Sequence, residues 1–171
     1  MDRWAVLVVR EPNRDRFQGP SDPAMWAFIQ AFAEKCRRTG MRVATERPTV
    51  IPVGPLPPAD ERDPSRSVAV AQIKEKMTAL ANTNPRPSFI LVLLNNRDNY
   101  IYPGIKRIGD VELGIHTICM QLEKALGDPR KQDQYFSNVA LKVNTKLGKY
   151  YSVFCTVTFS NRIDVLYNIQ F

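Results

Sequence analysis

Two unbroken apolar runs, Trp4-Ala5-Val6-Leu7-Val8-Val9 and Phe89-Ile90-Leu91-Val92-Leu93-Leu94, constrain this chain more than any other feature. A strand with one wet face alternates apolar and polar residues, and neither run does. Both must be covered on both faces, the position of a central strand in a parallel sheet with helices packed above and below. Each run is far shorter than the roughly 20 residues a membrane-spanning helix needs, so no membrane segment is expected.

The segments between these runs supply the helices. Asp22-Pro23 offers an N-cap and a first-turn proline, and Ile29, Phe32, Ala33 and Cys36 recur at helical spacing until Gly40. Met41 to Ala44 is read as a short second strand, followed by a surface loop in which Pro48, Pro52, Pro55, Pro57, Pro58 and Pro64 oppose regular pairing. Val70, Ile73, Met77 and Leu80 mark a helix over Ser65 to Ala81, closed by Asn82 and the Asn84-Pro85 turn. Beyond Leu94 the polar stretch Asn95-Asn96-Arg97-Asp98-Asn99 must be a loop, the place where ligands of open α/β sheets bind. Tyr102 to Ile108 is expected to be a short helix, Ile115 to Met120 a fourth strand, and Gln134 to Leu147 a helix with Phe136, Val139, Ala140 and Val143 inward. The expected fold class is α/β: a Rossmann-like, mostly parallel four-stranded sheet with helices on both faces. Lys149 to Phe171 alternates weakly and carries no chemical motif.

Composition narrows the function. A chain of 171 residues suits one domain, and a net charge of +7 favours acidic partners, nucleic acid foremost. Cys36, Cys119 and Cys155 are odd in number and lack zinc-ligand spacing, which points to a reducing compartment, the cytoplasm. No Gly-x-Gly-x-x-Gly follows Val9 and no Gly-Lys-Ser/Thr loop exists, so no nucleotide cofactor is expected. Asp110, Glu112, Glu123 and Asp128 have no spacing that marks a metal site, and no nucleophile can be matched to His116, the sole histidine. No catalysis is expected.

What remains is a side-chain cradle for an anion. Lys142 and Lys146 are four residues apart, which on a helix places both ammonium groups on one face, where like charges call for a counter-charge. Lys106 comes from the preceding helix, with Thr117 and Cys119 on the strand between. Tyr102, four residues before Lys106, shares its face, as stacking a base while its phosphate meets the lysine requires. Against these stand plainer alternatives: a solvated basic face for the lysines and a half-buried packing role for the tyrosine.

The sequence Tyr102-Pro103-Gly104-Ile105-Lys106-Arg107-Ile108-Gly109-Asp110, then Thr117-Ile118-Cys119-Met120-Gln121, then Ser137-Asn138 through Lys142 to Lys146-Leu147-Gly148 resembles the MID domain of eukaryotic, fungal-like Argonaute proteins. The resemblance covers residues 1–148 and leaves 149–171 as a divergent tail that stops before the PIWI nuclease domain and its carboxylates. It implies a monomeric domain that anchors the 5′-phosphorylated end of a small guide RNA in RNA silencing, with no cofactor, metal or membrane. By this resemblance Tyr102 stacks on the first base, and Lys106, Lys142 and Lys146 hold its phosphate. The loop Asn95, Asn96, Arg97, Asp98, Asn99, Tyr100 and Ile101 senses base identity. The family often has glutamine where this chain has Ile118, so that contact is missing here, with Thr117 or Cys119 as its replacement. The competing readings are a flavodoxin-like small-molecule-binding domain or enzyme, and a truncated product without function.

Overall fold

The computed structural model describes residues 1, 3–12, 15–17 and 19–148. The expected tail, Lys149 to Phe171, lies outside the described residues. Four parallel strands form one sheet in the order β2-β1-β3-β4: β1 Trp4–Val9, β2 Thr49–Val53, β3 Phe89–Leu94 and β4 His116–Gln121. The two apolar runs are the central pair, and every residue of both is buried.

The strands divide two cores between them. Trp4, Val6, Val8, Phe89, Leu91, Leu93, Ile118 and Met120 face the side covered by α1 (Pro23–Arg38) and by a long C-terminal helix. Ala5, Leu7, Val9, Ile90, Val92 and Leu94 face α2 (Ser67–Ala81) and α3 (Ile101–Arg107). After a four-residue α4 (Leu122–Ala125), that long helix, α5, spans Pro129–Lys146. Helices therefore lie on both faces, as unbroken apolar strands require.

The second strand is a correction. Met41 to Ala44 is not a strand, because the backbone there is used elsewhere: Gly40 takes a φ of 88°, and the Met41 and Gly40 amides close α1 by donating to the Cys36 and Arg37 carbonyls at 3.0 and 2.9 Å. Ala44 N–H then donates to the Met1 carbonyl at 3.2 Å. The real strand lies within the proline-rich segment, with Pro52 in register beside Val8. β2 is an edge strand, where a residue without an N–H leaves no ladder partner stranded. α5 also begins five residues earlier than the apolar spacing indicates, at Pro129 instead of Gln134. Its N-cap is Asp128, whose carboxylate accepts from the Arg130 amide at 2.9 Å. Asp128-Pro129 repeats the Asp22-Pro23 signature that opens α1.

Candidate functional site

α3 does not end in a loop. It runs directly into a π-helical turn, Ile108–Leu113, closed by Gly114 at φ 57°. Such a wide turn sits against β4 only because Gly109 has no side chain: a Cβ there would lie 2.5 Å from Thr117 Cγ2 and 3.0 Å from the Ile115 carbonyl oxygen. The close approach brings Lys106 within reach of the strand. Its Nζ donates to the Thr117 carbonyl and, at 3.0 Å, to Thr117 Oγ1. The same Nζ lies 5.8 Å from the Tyr102 ring centroid, so the ring and the ammonium do share a face of α3. Tyr102 is exposed.

From the other side of β4, α5 contributes Lys142 and Lys146. The Cys119 thiol feels the positive charges of Lys106, Lys146 and, least of the three, Lys142. Burial nevertheless dominates and pushes the thiol up to about 11, which favours its protonated form at neutral pH. Lys106 feels the complementary effect: burial lowers its pKa, the Lys146 charge adds to the lowering, and Asp110 opposes it. Asp110, delivered by the π turn, lies 3.8 Å from Lys146 Nζ. An acidic group inside a lysine cluster was not anticipated from the sequence, since nothing in its spacing distinguishes it from a surface carboxylate.

The remaining expected residues fall into separate places. Thr117 is fully buried, so its hydroxyl secures Lys106 and does not itself reach solvent. Ile118 points into the α1/α5 core, opposite to Thr117 and Cys119, and Cys119 is partly exposed. His116 is exposed at the start of β4. In the loop after β3, Asn95 and Ile101 are buried, Arg97, Asn99 and Tyr100 are exposed, and Asn96 and Asp98 lie between these extremes. Tyr135 is a residue the sequence did not single out. Its hydroxyl accepts from the Gln121 amide at 2.8 Å, tying the end of β4 to α5, and its ring lines an open cleft of about 480 Å³ between α4 and α5 together with Lys124, Lys131 and Asn138. Among the described residues no group of three or more His, Cys, Asp or Glu side chains is placed to hold a metal, and no helix is long and apolar enough to cross a membrane.

Three comparisons bear on this arrangement. A family model for the Piwi domain matches residues 89–165. Protein argonaute 3 of Oryza sativa subsp. japonica is 33% identical over 121 residues, 71% of this chain and 10% of that protein. The chain thus spans about a tenth of the length of the curated relatives it matches. The crystal structure of the N. crassa QDE-2 AGO MID domain superposes with a TM-score of 0.56 at 30% identity, covering 85% of this chain and 98% of that one. The Arabidopsis thaliana AGO5 MID domain, at 23% identity and a TM-score of 0.60 over 85% of this chain and 88% of that one, shares the fold. An all-parallel four-stranded sheet of this order, matched over nearly the whole of a solved MID domain at 30% identity, places this chain in the Argonaute family as its MID domain.

Proposed function

We propose that this domain anchors the 5′-terminal nucleotide of a guide RNA, with the phosphate held by Lys106, Lys142 and Lys146 and the first base stacked on Tyr102. The observation that supports the reading is the Lys106 ammonium held on Thr117 of β4 and 5.8 Å from the exposed Tyr102 ring, with Lys142 and Lys146 on α5, whose charges reach Cys119 of the same strand. A terminal phosphate carries about −1.5 to −2 charges at neutral pH and several strong acceptors, a counter-charge that Asp110 alone does not supply to three lysines. Each charge-assisted contact contributes about 1.5–3 kcal/mol where water is partly excluded, and stacking of a base on the ring adds about 1–3 kcal/mol.

On this reading the domain binds without catalysis and serves RNA silencing. The test is a titration of one RNA sequence bearing either a 5′-phosphate or a 5′-hydroxyl, at several salt concentrations. The phosphorylated RNA should bind at least about tenfold more tightly at every salt concentration. A solvated basic face predicts instead equal binding of the two RNAs with a common, steep salt dependence, and that result would overturn the proposal.

A further inference from the structure

Arg66 is the only described non-glycine residue with a positive φ, 56°, and it sits immediately before α2. A left-handed conformation is unfavourable for a side chain with a Cβ and persists only where surrounding contacts enforce it. Those contacts are present. Asp63 caps α2, accepting from the Ser67 amide at 2.8 Å, the Ser67 hydroxyl at 2.7 Å and the Val68 amide at 3.0 Å, while its carbonyl accepts from the Arg66 amide at 3.0 Å. The side chain of Arg66, 9% exposed, reaches the loop after β3.

There it is used twice. Nη1 donates to Asp98 Oδ2 and Nη2 to the Pro57 carbonyl, both at 2.9 Å. The other oxygen of the same carboxylate, Asp98 Oδ1, accepts from the Tyr100 and Ile101 amides, both at 2.8 Å, and so shapes the entry into α3. One turn further along α2, Val70 packs against α3 so closely that a Cβ on Gly104 would meet its methyl groups at 3.0 Å. The start of α2 therefore holds the loop through Arg66 and, separately, packs on α3 through Val70.

A buried ion pair contributes little net stability, because desolvation offsets most of the Coulombic gain, but further hydrogen bonds on both partners make it an effective means of fixing geometry. We propose that Arg66, acting through Asp98, is a positioning residue that sets which first base this domain prefers. This rests on the anchoring function proposed above. The Asp98 carboxylate is consumed by Arg66 and by the backbone, which leaves Arg97, Asn99 and Tyr100 as the loop's exposed side chains for a base edge. Their placement relative to a base on Tyr102 depends on where Asp98 is held. The phosphate side is held by other contacts: the Lys106 ammonium is tied to Thr117, Lys142 and Lys146 sit on α5, and α3 keeps its packing on α2 through Val70 and Gly104, which the Arg66–Asp98 pair does not touch.

The experiment titrates the full chain, unaltered and as Arg66→Lys and Asp98→Asn, with AMP, CMP, GMP and UMP and with inorganic phosphate. Lysine cannot serve Asp98 and the Pro57 carbonyl with a planar fork, and asparagine retains an acceptor for the two amides while losing the charge. In the unaltered protein the four nucleotides should differ by about tenfold or more, and in both variants that spread should fall to about threefold or less, with phosphate affinity within about twofold of the unaltered value. A spread that persists in both variants, a loss of phosphate affinity parallel to the loss of spread, or no spread in the unaltered protein would each overturn the positioning role. Failure of the unaltered protein to bind phosphate or any of the four nucleotides would overturn the anchoring function itself, a distinguishable result.

Discussion

Lys106 and Lys142 carry the same charge on elements that treat it in opposite ways. α3 has seven residues and holds Lys106 half-buried, with its ammonium already hydrogen-bonded to the carbonyl and hydroxyl of Thr117. α5 has eighteen residues, is capped by Asp128, and presents Lys142 on its exposed face with no lowering of water's access. The first lysine has given up hydration and rotamer freedom during folding, so the proposed phosphate would gain nearly the full strength of the contact. The second must surrender both when the ligand arrives. Preorganisation, not charge, separates the two.

The comparison would break most visibly at Lys106. Lys106→Ala should weaken a 5′-phosphorylated nucleotide by about 10- to 100-fold, whereas Lys142→Ala should cost about three- to tenfold and lose most of its effect in high salt. Isothermal titration of both variants at low and high salt checks this, and equal losses with equal salt dependence would remove the distinction. A related consequence concerns pH. Burial lowers the Lys106 pKa, so its contribution to anion binding is present below that value and is lost as pH rises through it, earlier than for an ordinary lysine.

The preorganisation itself can be attacked through Gly109. In Gly109→Ala the new methyl would meet Thr117 Cγ2 and the Ile115 carbonyl within 3.0 Å, and the π turn would have to move off β4. Chemical denaturation should show a loss of about 1–3 kcal/mol, the usual range for overpacking. Unchanged stability would mean that the turn relaxes freely and that Lys106 is less firmly held than its contacts imply.

The smallest expected effect sharpens the α5 side. Asp110 occupies part of the field that Lys146 would offer to a ligand, but both groups are partly exposed and 3.8 Å apart, so their interaction is worth about 0.2–1 kcal/mol. Asp110→Asn should therefore strengthen phosphate binding by about two- to fivefold. Weaker binding in this variant would show that Asp110 orders the lysines more than it competes for them.

Which parts of this molecule can be read without a structure depends on the range of the interactions involved. Trp4 to Val9 and Phe89 to Leu94 declare themselves because burial on both faces leaves no polar residue in either run. α1 is legible because Asp22-Pro23 opens it and Gly40 closes it through local hydrogen bonds, and the same signature at Asp128-Pro129 would have placed the start of α5. The four-residue spacings of Tyr102 with Lys106 and of Lys142 with Lys146 are likewise local, and a regular helix turns them into shared faces. β2 escapes this kind of reading because proline's penalty depends on whether the strand is at an edge, which is a property of the sheet. So does Thr117, whose burial and hold on Lys106 exist only after the π turn docks on β4 across Gly109. Arg66 and Asp98 are 32 residues apart, and Asp110 meets Lys146 across two elements. By itself the sequence determined the buried strands, the helix caps and the lysine spacings, since these are set by neighbours along the chain. The tertiary structure decided which of those charges are desolvated and which partner each one meets, because dielectric and distance between remote residues come into being only when the elements pack.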